Sequence, residues 1–273
     1  MRSRYLNPFR IVLSIVIVNA AGIALRYYGL DTYFIFLGFR FHLSCLLPFV
    51  ILMNGENLKL LSESFRKPRF RKKFVPLFLV IFSLAVTVAA LYLLKKIEPG
   101  DPDYFYEFGL SSIFDFPLYI VWNFPQLCCL FLTLSIISRI NKLAYVNVFF
   151  GLILLFGYEL IPFNSAFHPA DAAAMLLLSL TASLFVTKLQ NIYWFAVIVF
   201  SSVWSIILLF GSSSGTLINI FFAREYSSWD GFLNISKELS DYVVPSFFLI
   251  LLVISTVYLF FLRQTGTNFP DKK

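Results

Sequence analysis

The chain has 273 residues, 59% of them hydrophobic and only 14% charged, and phenylalanine alone occurs 34 times. That composition lies far from the near-even apolar share of a soluble domain and excludes one. The net charge of +7 comes with no zinc, helix-turn-helix or RNA-binding signature and so makes no case for nucleic acid, which is not expected as a partner. What remains is an integral membrane protein. A spanning helix takes ~20 mostly apolar residues, and eight such segments fit into the chain with little left over. The expected fold is all-α, a single domain over 1–273 forming one bundle of about eight transmembrane helices, with no competing strand pattern.

In chain order, Arg2, Arg4 and Arg10 precede the first apolar run, 11–26. No small-residue cleavage site follows, so it reads as a retained span rather than a signal peptide. The second span, 32–53, carries Arg40 and His42. Residues 54–73 are strongly basic, with Lys59, Arg66, Lys67, Arg69, Arg71, Lys72 and Lys73 against Glu56 and Glu63, and 56–65 has the pattern of a short interfacial helix. The 59–73 basic loop is expected to lie on anionic lipid of the bilayer, each charge near the surface contributing ~1 kcal/mol. Docking of a specific lipid or a membrane protein partner is the alternative.

The third span, 74–94, leads through Lys95 and Lys96 into a loop with turn residues and the acids Glu98, Asp101, Asp103 and Glu107. The fourth, 116–137, contains Asn123, Pro125 and Gln126 and ends at the short loop 138–142. Spans five, six and seven cover 143–162, 172–187 and 192–210. The longest polar connection, 211–242, looks amphipathic at 217–222 and again at 232–239; span eight is 243–262, before a polar tail. No repeat of 20–50 residues is apparent.

Lysine and arginine are retained on the cytoplasmic side of a membrane, which orients the bundle. With both termini inside, 16 of the 22 Lys and Arg fall in cytoplasmic segments and 5 in outer ones, leaving Arg40 in the membrane. The same placement puts 11 of the 15 acids outside and 3 inside, leaving Glu159 in the membrane. Both tallies favour cytoplasmic termini, and a bacterial or archaeal plasma membrane is the expected location.

An ionisable side chain within the bilayer costs ~2.5 kcal/mol or more unless paired or hydrated, so functional residues are sought there. Arg40 lies about eight residues from the outer face, on the order of 12 Å deep at 1.5 Å per residue. Glu159 approaches the same face, and Asn123 and Gln126 reach the depth range of Arg40 and His42. These five polar residues on three spans form an intramembrane cluster: a buried Arg40 to Glu159 ion pair with amide neighbours, the lining of a substrate cavity, or lone residues hydrated through water defects. His168 and Asp171 are spaced as HxxD across Pro169, but two further metal ligands are not evident and Asp171 is better read as a helix N-cap. No metal and no cofactor are expected. Cys45, Cys128 and Cys129 all fall in apolar spans, where they serve as small packing residues.

Catalytic patterns mostly fail. There is no HExxH for a zincin or a site-2 type protease. Gly211-Ser-Ser-Ser-Gly215 fits GxSxG, yet no histidine follows position 168 to act as its base, and a flexible turn at a helix end explains the segment better. No paired acidic motif stands within a span to hold magnesium for prenyl chemistry.

Residues Phe156-Gly-Tyr-Glu-Leu160 and the segment 184–204, best at Tyr193-Trp194-Phe-Ala-Val-Ile-Val-Phe200, resemble the CPBP family, the CAAX prenyl proteases and bacteriocin-processing or immunity proteins. Eight spans fit that family. The resemblance implies an EExxxR motif on the fourth span, an FxxxH histidine and an HxxxN pair. In this chain Gln126 stands near the family's water-activating glutamate, Leu160 at the histidine, and Phe200 and Trp204 at the HxxxN positions. An amide, an aliphatic and two aromatics neither polarise water nor bind a metal. Glu159, one position from the lost histidine, is the candidate replacement, with His168 or His42 as its partner.

Three functions stay open. The first is a CPBP-like bundle without peptidase activity, a pseudoenzyme acting as a membrane scaffold or as an immunity-like protein that binds a partner or lipid. The second is a divergent active intramembrane peptidase using Glu159 with a histidine. The third is a small-molecule or lipid transporter, although no inverted repeat or paired Gly/Pro-broken spans accompany it.

Overall fold

The computed structural model describes residues 53–65, 74–102, 169–189, 191–211, 230–235 and 237–264, with single positions within 9–24, 50–51 and 114–135. The described protein is mostly helical. The expected spans 11–26, 32–53, 116–137 and 143–162 lie outside the described residues except at those single positions.

Helix α1, Gly55–Ser64, starts where Asn54 takes extended backbone angles and its side-chain oxygen accepts the Asn57 N–H at 2.8 Å, with Glu56 in the first turn. Both features satisfy the exposed amides of a helix start. Asn57, Leu60, Leu61 and Ser64 recur at helical spacing and are buried, and Leu60 and Leu61 belong to the main hydrophobic core. Phe65, just beyond the helix, sets its ring 6.2 Å from that of Phe124.

Helix α2, Val75–Leu93, tolerates Pro76 because the proline falls in the first turn, where an N–H has no helical acceptor. Its far end closes as a Schellman turn. The Lys96 N–H reaches back to the Leu91 carbonyl at 3.0 Å and the Lys95 N–H to Tyr92 at 2.9 Å, with Lys95 at φ 54° in the left-handed region that normally takes glycine.

Helices α3, Pro169–Leu189, and α4, Ile192–Phe210, are joined through residues 190–191. The Asn191 side-chain oxygen accepts the N–H groups of Tyr193 at 3.0 Å and Trp194 at 3.3 Å, which caps α4. Gly211, at φ 67°, terminates α4, so the glycine at the head of the 211–215 segment is a helix-end residue. Helix α5, Lys237–Gln264, is 28 residues long and contains Pro245. It begins six residues ahead of the expected eighth span.

The reading of the chain without strands is corrected. Ile97–Pro99, β1, pairs antiparallel with Leu233–Ile235, β2, in the register Ile97 to Ile235, Glu98 to Asn234 and Pro99 to Leu233. The segment 232–239 is therefore not one amphipathic helix, since β2 occupies its first half. The sheet is tied to α4: the Phe232 N–H donates to the Leu208 carbonyl at 3.1 Å and the Gly100 N–H to the Phe232 carbonyl at 2.8 Å. At Gly100 a Cβ would stand 2.5 Å from the Gly231 carbonyl oxygen, and at Gly231 it would meet the Leu209 carbonyl and stand 2.5 Å from the Gly211 nitrogen. Only hydrogen fits between these backbones.

The sheet defines one end of the bundle. The C-terminal ends of α2 and α4 and the N-terminal end of α5 meet there, and the turn between α3 and α4 lies at the opposite end. At that opposite end the Trp194 ring stacks with Phe185 of α3 at 5.8 Å and with Tyr258 of α5 at 6.3 Å. Three helices are thus clasped by offset aromatic contacts, each contributing ~0.5–1.5 kcal/mol beyond area burial. Helix α5 packs most extensively against α3 and next against α2, while α4 packs against both α2 and α3. The alanine-rich stretch of α3, with Ala174 and Ala182 buried, allows close helix approach.

Three helices are long and apolar enough to cross a membrane, Val75–Leu93, Ile192–Phe210 and Asp241–Leu262, and Leu176–Leu189 is a shorter apolar helix. At 1.5 Å per residue these three run about 28 to 33 Å, which matches a hydrocarbon core of about 30 Å. The outer faces of α2 and α5 are apolar as well. Phe78, Ile81 and Phe82 on α2 and Leu249, Val253 and Val257 on α5 are exposed, a surface that suits lipid and not water.

Candidate functional site

Where the family resemblance would set an HxxxN pair, α4 carries Phe200 and Trp204, one turn apart on the same face. Phe200 is 6% exposed and belongs to the hydrophobic core, with Trp204 partly buried against it. Phe195, Ile198 and Val199 are buried on other sides of α4, and Val203, buried too, adjoins Phe200 and Trp204 on the helix surface. This face of α4 is a packing surface.

Polar atoms do enter the interior, and most of them are hydroxyls that hydrogen-bond within their own helices. Ser83 donates to the Leu79 carbonyl at 2.7 Å, Thr87 to Ser83 at 2.9 Å and Thr181 to Leu177 at 2.9 Å, while Ser201 and Ser202 donate to the carbonyls of Val197 and Ile198. Such back-bonding satisfies the hydroxyl without offering it to a substrate. The hydroxyls of Ser183 on α3 and Ser255 on α5 are buried without a hydrogen-bond partner. Neither residue has a described base beside it, and a serine without one is a weak nucleophile.

Among the described residues, buried polar side chains are confined to Asn57 and to serines and threonines; no acid, lysine, arginine or histidine is buried. Apart from Lys59 within α1, the described charges lie near helix ends or in connections. Glu98, Asp101 and Asp230 lie at the sheet end with Lys95 and Lys96. Lys59 on α1 and Lys188 in the last turn of α3 lie toward the other end, where the Arg10 guanidinium donates to the Met53 carbonyl at 3.4 Å. Among the described residues no group of three or more His, Cys, Asp or Glu is placed to hold a metal ion.

The expected polar cluster of Arg40, His42, Asn123, Gln126 and Glu159 lies outside the described residues, as do Leu160 and His168. Asp171 is placed by its backbone. Helix α3 begins at Pro169, so Asp171 falls inside the first turn and not at the N-cap position expected for it. Proline is favoured at a first helical position, and this moves the helix start ahead of the aspartate. Cys128 is buried in the hydrophobic core as a free thiol, a packing residue; Cys45 and Cys129 lie outside the described residues.

Two arrangements had little signal in sequence. The glycine crossing at Gly100, Gly211 and Gly231 could have been suspected only from the glycines flanking polar loops. The ring stack of Phe185, Trp194 and Tyr258 was masked by the abundance of aromatics everywhere in the chain. No protein-family model, curated protein or solved structure matches the chain.

Proposed function

We propose that the chain is a multi-pass membrane protein of about eight spans, resembling CPBP intramembrane proteases in plan but without their hydrolytic chemistry. In this reading it acts as a membrane scaffold, or as an immunity-like protein that binds a membrane partner or lipid. The observation that carries it is the burial of Phe200 in the apolar core, with Trp204 packed one turn away, where a hydrolase of that family would present a histidine and an asparagine. Filling those positions with rings removes the polar groups that would activate water and leaves a rigid packing face.

Two pairings across the sequence are compatible with the alternating passage of this plan, and its cytoplasmic termini rest on the charge distribution alone. Alternating passage places 95–115 and 211–242 on one side, and β1 and β2, which come from those two connections, are hydrogen-bonded together. It places residue 10 and residue 53 on the other side, and Arg10 bonds Met53. The basic loop of 59–73 belongs to that second side and is the proposed contact for anionic lipid.

The test is a cleavage assay in nanodiscs with a prenylated CAAX-type peptide. The expected result is hydrolysis no faster than that of a Glu159→Gln variant. Cleavage that Glu159→Gln abolishes would overturn the reading and establish the divergent peptidase in its place.

A further inference from the structure

Helix α1 divides its surface into three sectors, where a helix packed on a soluble core needs only two. At 100° per residue, Asn57, Leu60, Leu61 and Ser64 form the face turned to the bundle, and all four are buried. Leu58 and Phe65, seven residues apart, project along one flank and are 55% and 47% exposed. Glu56, Lys59 and Glu63 occupy the opposite flank, all exposed. Protein, apolar and charged surroundings are therefore each met by a different side of one ten-residue helix. Those three surroundings coexist at one place, the rim of a membrane bundle at the level of the lipid headgroups.

We infer that α1 is an in-plane helix whose Leu58 and Phe65 flank inserts among the acyl chains of the anionic leaflet while Lys59 meets its headgroups. The inference rests on the membrane reading proposed above and adds to it a specific lipid-contact surface. Charge complementarity selects the occupant. Eight residues, 66–73, link exposed Phe65 to exposed Phe74, and six of the eight are Lys or Arg. Arg10, bonded to Met53 two residues before α1, adds a cation on the same side. Basic clusters beside apolar anchors draw anionic phospholipid, each charge contributing ~1 kcal/mol near the surface.

Spin labels on single cysteines test this, in a full-length protein with Cys45, Cys128 and Cys129 replaced by alanine and held in nanodiscs of phosphatidylcholine with phosphatidylglycerol. Accessibility to oxygen and to a water-soluble nickel chelate reads depth. Labels from Leu58→Cys and Phe65→Cys are expected about 5–10 Å below the phosphates, and those from Lys59→Cys and Glu63→Cys in water. Replacing phosphatidylglycerol by phosphatidylcholine, or adding 1 M salt to shrink the screening length to ~3 Å, is expected to raise the labels at 58 and 65 toward the surface. Phe82→Cys on α2 and Val253→Cys on α5 separate the two levels of the claim. If 82 and 253 lie in the acyl region while 58 and 65 are as wet as 59 and 63, the inference is overturned and the membrane reading stands. If 82 and 253 are also in water, the membrane reading itself fails. Equal depth at 58 and 65 in the two lipid mixtures overturns the anionic assignment.

Discussion

Replacing Gly231 by alanine is expected to open the sheet end of the bundle. The added Cβ would meet the Leu209 carbonyl and stand 2.5 Å from the Gly211 nitrogen, both main-chain atoms that cannot swing away as a side chain would. Normal carbon contacts need ~3.5 Å, so the two backbones must part by close to an ångström. The Phe232 N–H to Leu208 carbonyl bond, already 3.1 Å long, spans the same gap and would stretch out of hydrogen-bonding range. One or two hydrogen bonds at ~0.5–1.5 kcal/mol each and an overpacking cost of ~1–3 kcal/mol give a local destabilisation of about 2–5 kcal/mol. Hydrogen exchange read by mass spectrometry on nanodisc-held protein should then show the amides of Gly100 and Phe232 losing at least about thirtyfold in protection, at 1.4 kcal/mol per tenfold. Gly55→Ala is the control: nothing lies within 4 Å of a Cβ there. If Gly231→Ala protects these amides as well as Gly55→Ala does, the backbones do not cross at Gly231 and the reasoning is refuted.

Substitutions at three other residues probe separate elements. Lys95→Gly should stabilise the end of α2 by about 1 kcal/mol, because Lys95 holds φ 54° at a position where a Cβ is penalised; slower exchange at Lys96 N–H is the readout, and faster exchange counts against the Schellman geometry. Trp194→Ala should cost about 3–5 kcal/mol by emptying a fully buried site between Phe185 and Tyr258, while Trp194→Phe keeps a stacking ring and costs less. Resistance to unfolding in SDS ranks the two, and a loss for Trp194→Phe as large as that for Trp194→Ala would count against a ring held at this site by its neighbours. Ser255→Ala should be neutral or stabilising by up to about 2 kcal/mol, since it removes a buried hydroxyl that has no partner; a clear loss of stability by the same assay would mean the hydroxyl is hydrogen-bonded.

Much of the helical plan was legible because apolar runs of spanning length have few rivals as explanations. The seventh span, set at 192–210, coincides with Ile192–Phe210, and the third, 74–94, brackets Val75–Leu93. The short helix expected at 56–65 was legible too, as a helix, since Asn57, Leu60, Leu61 and Ser64 keep a helical period within an otherwise polar stretch. The strands were not. Three residues on each side offer no alternation to read, Ile97–Pro99 contains a proline, and the pairing is set by backbones brought together through glycines. The eighth span, 243–262, agrees with the apolar stretch Asp241–Leu262, whereas the polar residues from Lys237 onward that precede it in α5 carried no apolar signal to mark them as helix. At the candidate site, the apolar character of Phe200 and Trp204 was evident from their identities, whereas their place in the core depended on which face of α4 meets α2 and α3.

The pairing of β1 with β2 also sets a clock for biogenesis. Ile97 and its partner Ile235 are 138 positions apart, so β1 leaves the ribosome long before the strand it must bond. At about 5–20 residues per second the interval is roughly 7–28 s. Through that time the sheet end of α2 stays unfastened, and helices α3 and α4 must enter the bundle before Gly231 can pass beneath the end of α4 and draw the two strands together. Closure of this small sheet therefore reports that the intervening part of the chain has already been laid down, and a stalled or truncated product ending before residue 231 would be left with an unpaired β1 for quality-control proteases to find.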